Sequence, residues 1–316
     1  MKKISLLIPA YNEQEVLEHL YHRIGKLAND NKSYDFEFMF VNDGSRDRTL
    51  EIIKGYARSD NRVAYVDLSR NFGKEIAMIA GLDHVTGDAT VIIDADLQDP
   101  PELIPKMIKF WEQGFEDVYA KRNSREGETW FKKVSSSWFY KILQKTTRIP
   151  IQIDTGDFRL LDRKCVTALQ QIRESQRYTK GMFSWIGFKK KEITYDRDPR
   201  VAGETKWNYS KLINFAIDGI TSFTTAPLRI SSMLGFIVSI VAFIFIIIVI
   251  VKTIIFNDPV AGYPSLMAVV LFLGGLQLLS LGIIGEYIGR IFNETKDRPL
   301  YFVEEYHNDK SVKKTR

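Results

Sequence analysis

A chain of 316 residues is long enough for one large or two ordinary domains, and its 45% apolar content is ordinary in total but uneven in placement. A net charge of +5, without zinc-ligand spacing, a basic-aromatic run or an arginine-rich arm, argues against nucleic acid as a partner. It fits a protein that works near anionic lipid or phosphate-bearing ligands. The single cysteine, Cys165, rules out an intrachain disulfide, suits a reducing compartment, and is most simply a small core residue.

Lys2-Lys3 and the apolar residues 4–8 form a run too short for a signal peptide, and it ends in Pro9-Ala10-Tyr11-Asn12-Glu13. It is read as the first strand of a folded domain. Up to Arg122, short apolar runs alternate with longer amphipathic ones. Strands are predicted over 4–8, 36–41, 63–68, 90–93 and 118–120, and helices over 13–29, 46–58, 74–84 and 102–113. This alternation predicts an α/β domain with a mainly parallel sheet, in which ligands bind beyond the carboxyl ends of the strands. Three polar clusters fall at those ends: 9–13, Asn42-Asp43-Gly44-Ser45, and 94–99. In the third, Asp94 and Asp96 are two residues apart, so an extended chain projects both to one side. Neighbouring carboxylates repel, and a hard divalent cation is the simplest partner for them. A solvated acidic turn accounts equally well for Asp-x-Asp taken alone.

The aromatic-rich stretch 122–148 reads as an amphipathic helix for core packing or membrane-surface contact. Residues 154–163 form a polar turn entering a strand or helix, and 195–207, rich in charge and containing Gly203, a mobile loop. Over 208–228, Leu212, Ala216, Ile220 and Phe223 share one helical face and Lys211, Asn214, Asp218 and Ser222 the other. That pattern suits a helix in the membrane interface or one facing a core. Residues 230–251 carry no charge and as a helix would span roughly 33 Å, enough to cross a bilayer. A second charge-free run covers 260–285. The expected organisation is a catalytic domain over 1–207, an interfacial helix over 208–228, and two transmembrane helices within 229–289, at about 230–251 and 264–286, followed by a tail over 290–316. Lys206, Lys211 and Arg229 before the spans, and Arg290, Lys296 and Arg298 after them, put both termini and the α/β domain in the cytoplasm of a multi-pass membrane protein. The extreme tail, 310–316, is basic and expected to be mobile, within reach of anionic lipid. Gly274-Gly275 and Gly282 would permit close helix packing in a homo-oligomer.

Taken together, Ile8-Pro9-Ala10-Tyr11-Asn12-Glu13, Val41-Asn42-Asp43-Gly44-Ser45 and Asp94-Ala95-Asp96 resemble the family 2 glycosyltransferases of the GT-A fold. Asn71-Phe72-Gly73-Lys74-Glu75, residues 94–101, Gly156-Asp157-Phe158-Arg159 and Thr205-Lys206-Trp207 resemble the polyprenyl-phosphate branch. That branch includes dolichyl-phosphate mannose synthases and bactoprenol glucosyltransferases, and the resemblance extends over roughly residues 3–300. The Gln-x-x-Arg-Trp motif of processive polysaccharide synthases is absent from the sequence. The resemblance implies a GT-A domain with a membrane hairpin, a sugar nucleotide donor, a polyprenyl phosphate acceptor and Mg²⁺ or Mn²⁺. Pro9, Tyr11 and Glu13 would border the nucleotide, with Asp43 accepting a hydrogen bond from the base. Lys74 would join them at the sugar nucleotide, and Asp94 and Asp96 would hold the metal against the diphosphate, with Gln98 nearby. Arg200 and Lys206 would close over the same phosphates, or be a solvated basic loop. Asp157 would be the base, or orient the sugar, or hold a basic side chain such as Arg159. Arg122 and Arg125 would meet the lipid phosphate, or be ordinary surface positions. The expected reaction is inverting transfer to undecaprenyl phosphate, with glucose from UDP-glucose first. UDP-N-acetylglucosamine, UDP-galactose, GDP-mannose or a non-catalytic sugar-nucleotide-binding scaffold are the alternatives. Two spans offer no evident pathway for the lipid product, so a separate flippase is expected.

Overall fold

The computed structural model describes residues 1–122, 155–175, 177–195, 224–256 and 262–308. Arg125, Arg200, Lys206, and residues 208–223 and 309–316 lie outside the described residues. The chain divides into two compact units: Met1–Ala216 with Pro299–Arg316, and Ile217–Arg298.

The first unit is built on an eight-stranded sheet of order β7-β5-β6-β4-β1-β2-β3-β8. β1 (Lys2–Ala10), β2 (Tyr34–Asn42), β3 (Val63–Leu68) and β4 (Ala89–Ile92) form its parallel half. They are linked by α1 (Leu17–Asp30), α2 (Thr49–Ser59) and α3 (Lys74–His84). Strands covered on both faces need apolar residues in both phases of their alternation. Ile4, Leu6, Ile8, Phe36, Phe38 and Phe40 lie in one core with α1, while Leu7 and Val41 meet α3 on the other face. That second contact is close: a Cβ on Gly81 would stand 2.0 Å from the Leu7 side chain. At the amino end of the sheet, buried Glu37 accepts hydrogen bonds from Lys3, Ser5 and both the hydroxyl and the N–H of Thr86. Burial alone would raise its pKa, but these donors hold it below the usual carboxylate range.

After α4 (Ile104–Glu112) and β5 (Asp117–Arg122), the chain re-enters the sheet as β6 (Thr155–Asp162). β6 runs antiparallel to both β4 and β5 and lies between them. It leads into α5 (Arg163–Gln171), α6 (Thr179–Trp185) and β7 (Lys190–Tyr195), which pairs parallel to β5. Cys165 is buried in α5, and burial pushes its thiol far above the usual range, consistent with a core residue.

The second unit contains α7 (Ala226–Phe256) and α8 (Tyr263–Thr295), both long and apolar enough to cross a membrane. Phe236, Phe243, Leu271 and Leu278 are each at least 65% exposed, unusual for a water-soluble protein. The helices meet through Ser231 Oγ, which donates to Ser280 Oγ at 2.8 Å, and Tyr287 donates to the Thr224 carbonyl at 2.6 Å.

Residues 290–316, read from the sequence as one tail, divide. α8 continues to Thr295, and the chain then returns to the first unit as β8 (Val303–His307), antiparallel to β3. Its five residues, Val303-Glu304-Glu305-Tyr306-His307, are mostly exposed at the sheet edge and too short a run to register against the preceding hydrophobic runs. Tyr301 donates to Asp83 at 2.6 Å, and Glu305 accepts from Tyr65 at 2.6 Å and pairs with Lys54 at 2.5 Å. Glu305→Ala should cost roughly 0.5–1 kcal/mol, since the pair is half exposed. Truncation after Arg298 should lower the thermal midpoint further, by uncovering the β3 edge; thermal unfolding of the detergent-solubilised variants measures both.

Candidate active site

The three polar clusters follow the carboxyl ends of β1, β2 and β4, and β1 pairs with both other strands. The loops after β1 and β2 are laced together. Asn12, at φ +55°, donates its N–H to Ser45 and accepts from the Arg46 N–H, while the Glu13 N–H donates to Thr49. Pro9 is buried at the end of β1, Tyr11 is 37% exposed, and Glu13 is half buried. Gly44 has φ +63°, and a Cβ there would lie 2.4 Å from the Arg70 backbone. No other residue fits this turn without moving the loop after β3.

Asp43 is 3% exposed, and its two oxygens accept from the N–H groups of Phe72 and Gly73 at 2.7 and 2.9 Å. Burial raises its pKa despite these bonds. The carboxylate expected to face a nucleotide base therefore tethers the turn that launches α3, and the first residue of α3 is Lys74.

Beyond β4, Ala95, Leu97 and Asp99 are buried while Asp94, Asp96 and Gln98 are only partly so. The carboxylates share the outward phase, as their spacing predicts. Leu97 adopts φ +60°, a strained conformation for a branched residue, and the Gln98 N–H donates to Asp96 at 3.1 Å. Asp99 faces inward and accepts from the Tyr195 hydroxyl, pinning the turn to β7.

The register Ile92↔Arg159, continued by two residues, sets Asp94 opposite Asp157. Like charges facing each other across two strands destabilise a sheet. Lys74 resolves this: its ammonium lies 2.7 Å from Asp94 and 2.6 Å from Asp157. Burial would raise the Asp157 pKa, but the cations around it, Lys74 foremost, hold it at about 2. The same two carboxylates raise the Lys74 pKa far beyond its usual range against the opposing effect of desolvation. The basic partner of Asp157 is thus Lys74. Arg159 is fully buried, pairs with Asp117 at 3.2 Å and stacks on Phe183 at 3.7 Å.

Two further groups border this cluster. Glu75, beside Lys74, accepts from the Thr179 N–H, and burial, followed by repulsion from Asp157, pushes its pKa up to about 8. Lys180, on α6, carries its charge near Asp157, Arg122, Glu75 and Lys74. In the sequence Glu75 stands within Asn71-Phe72-Gly73-Lys74-Glu75 without a role of its own, and Lys180 belongs to no motif. Arg122 ends β5, with Nη2 placed 3.4 Å from where a Gly156 Cβ would be.

Among the described residues no three His, Cys, Asp or Glu side chains form a metal cluster. Asp94 and Asp96 offer hard oxygens from one turn, which fits a Mg²⁺ or Mn²⁺ ion completed by substrate phosphates and water.

Glu75 makes stability pH-dependent. Its folded pKa lies above the unfolded value, so its contribution is complete below about 4.5 and is lost as pH rises through about 8. Glu75→Gln should therefore flatten the fall in thermal midpoint between those limits, as thermal unfolding at a series of pH values will show.

The family model for glycosyl transferase family 2 matches residues 5–169, and one for the GtrB C-terminal hairpin matches residues 226–291. An uncharacterized glycosyltransferase of Synechocystis is 48% identical over 303 residues, 96% of this chain and 95% of its own. A prophage bactoprenol glucosyl transferase homolog of Escherichia coli is 46% identical, covering 96% and 98% of the two chains. The bactoprenol glucosyl transferase of Shigella phage SfX is 44% identical, covering 96% and 99%. Glucosyl-3-phosphoglycerate synthase from Mycobacterium tuberculosis, solved with Mn²⁺, uridine diphosphate and phosphoglyceric acid, superposes with a TM-score of 0.50. That match covers 70% of this chain and 76% of the other at 18% identity, a likeness of fold alone. With this sheet, this site and these relatives, the chain belongs to the family 2 glycosyltransferases and is a GT-A enzyme carrying a GtrB-type C-terminal hairpin.

Proposed function

We propose that this glycosyltransferase moves glucose from UDP-glucose to the phosphate of a polyprenyl lipid, undecaprenyl phosphate in bacteria, with inversion at the anomeric carbon. The observation that carries this reading is the Asp94–Lys74–Asp157 cluster at the carboxyl edge of the sheet, in a chain that also has two apolar helices of spanning length. The names of the bactoprenol glucosyl transferases, similar over nearly the whole chain, support the acceptor and the sugar.

In this reading, Pro9, Tyr11 and Glu13 border the nucleotide, and Asp43 accepts a hydrogen bond from the base while tethering the turn before α3. Asp94 and Asp96 hold Mg²⁺ or Mn²⁺, with Gln98 beside them; the ion supplies electrostatic stabilisation of the leaving diphosphate. Arg200 and Lys206 close over the phosphates, and Arg122 and Arg125 face the acceptor. A phosphate oxygen of the acceptor attacks the anomeric carbon as the bond to the nucleoside diphosphate breaks, and the bonding pair leaves with that diphosphate. The acceptor phosphate, with a second pKa of about 6, is largely dianionic at neutral pH and has no proton to give up. Asp157, held at about 2, is in turn a weak base. Its work is to fix Lys74 and orient the reactants.

The hairpin anchors the enzyme in the cell membrane with its catalytic unit in the cytoplasm, as the flanking basic residues favour. The lipid-linked sugar then needs a separate flippase to cross. Protease accessibility in sealed vesicles tests the orientation.

Purified enzyme in lipid, given undecaprenyl phosphate and each labelled donor in turn, should place label in the lipid extract from UDP-glucose. Transfer only from UDP-N-acetylglucosamine, UDP-galactose or GDP-mannose would replace the sugar, and transfer from none would sink the reading. Chelation should abolish activity, and Asp96→Ala should lower kcat by roughly 10²–10³-fold. The acidic limb of the rate profile should fall near about pH 6, following the acceptor rather than a protein base.

A further inference from the structure

The exposed apolar surface of this chain lies mainly on α7 and α8, where a bilayer would cover it. In the first unit such surface is sparse. Phe302 is one of few large apolar side chains more than half exposed among the described residues of that unit, at 59%. It stands one residue before β8, and its backbone is tied down. The Phe302 carbonyl accepts from the Ser69 N–H at 3.0 Å, Val303 pairs with Leu68, and Tyr301 donates to Asp83. Ser69 in turn opens the loop that runs to Gly73 after β3. Ser69, Arg70 and Asn71 are exposed, and the Arg70 guanidinium stacks over the Phe72 ring at 3.9 Å.

An exposed aromatic ring beside an exposed arginine suits the headgroup level of a membrane, where the ring meets the acyl boundary and the cation meets phosphate. The chain itself limits how far away that surface can be. Phe302 follows Thr295, the last residue of α8, by seven positions, so at most about 25 Å of chain separates it from a helix long enough to span a bilayer. Lys296 and Arg298, both exposed, lie in that interval. Anionic headgroups complement these two cations and Arg70. We propose that Phe302 and the loop from Ser69 to Gly73, led by Arg70, form a surface of the first unit that docks on the anionic face of the bilayer. The loop ends at Lys74, whose ammonium joins Asp94 and Asp157, so contact here brings the carboxyl edge of the sheet to the headgroup level. The first unit is then held by its own surface as well as by the hairpin. The proposal rests on α7 and α8 spanning the membrane, and is independent of donor and metal.

The test places an environment-sensitive dye on the full chain, in a Cys165→Ala background, in nanodiscs of phosphatidylglycerol and phosphatidylethanolamine. Dye at Phe302→Cys should be blue-shifted and quenched by lipids that carry a spin label near the headgroup. Dye at Asn61→Cys, beyond the other end of β3 and roughly 20 Å away, should show neither effect. Dye at Leu278→Cys, in the middle of α8, reports whether that helix lies in the bilayer at all. Quenching at Leu278 by lipids labelled in the acyl chain, with none at Phe302, would overturn the proposal and leave the anchor standing. Quenching at neither position would remove both. Equal quenching at Phe302 and Asn61 would overturn it too, since the contact would not belong to this surface. In the transfer assay, Phe302→Asp should lower kcat/KM for polyprenyl phosphate embedded in the nanodisc roughly tenfold, the worth of one apolar side chain leaving the lipid. Turnover of a short-chain prenyl phosphate in detergent should be unchanged, and Phe302→Trp should retain full activity on both. Equal losses on the two acceptors would assign Phe302 to the fold and overturn the docking role. If Phe302 is quenched in an enzyme that transfers no sugar, the function proposed above fails while this surface stands.

Discussion

One ammonium group holds the catalytic edge together. Lys74 comes from the start of α3, Asp94 from the end of β4 and Asp157 from β6, and no two of them are neighbours in sequence. The antiparallel insertion of β6 brings two carboxylates face to face, an arrangement the sheet would otherwise resist. The turn tethered by Asp43 then delivers the cation that makes it tolerable. Asp43 and Gly44 both serve this placement, the first through the amides of Phe72 and Gly73 and the second by its close approach to the Arg70 backbone.

The ion triplet also divides the labour among acids that look alike. Asp157, surrounded by cations, stays ionised far into acid, whereas Glu75, more thoroughly desolvated than paired, has its pKa pushed up to about 8. Environment separates their titrations by several units. Each further ionised carboxylate at this edge would repel an incoming phosphate.

The parallel half of the sheet was legible because its strands are buried on both faces and bounded by turn residues; 63–68 and 74–84 coincide with β3 and α3. The polar clusters at the strand ends were legible for the same reason, since topology alone puts them together. What the pattern could not carry was pairing between distant segments. Asp43 looks the same whether it meets a base or the amides of Phe72 and Gly73. Asp157 and Arg159 lie two residues apart on one strand, but Arg159 turns into the core to Asp117 and the counter-ion of Asp157 arrives from α3. β8 has no periodic signature, and only its pairing with β3 gives it meaning.

β8 makes the membrane hairpin an insertion within the sheet rather than an appendage after it. Tyr65 and Glu305 are 240 residues apart, with both long apolar helices between them. During synthesis the β3 edge must wait, unpaired, until the ribosome has made α7 and α8 and delivered the last strand. Completion of the first unit is thereby coupled to synthesis of both long helices, so a chain interrupted before the second is finished also lacks the strand that pairs with β3.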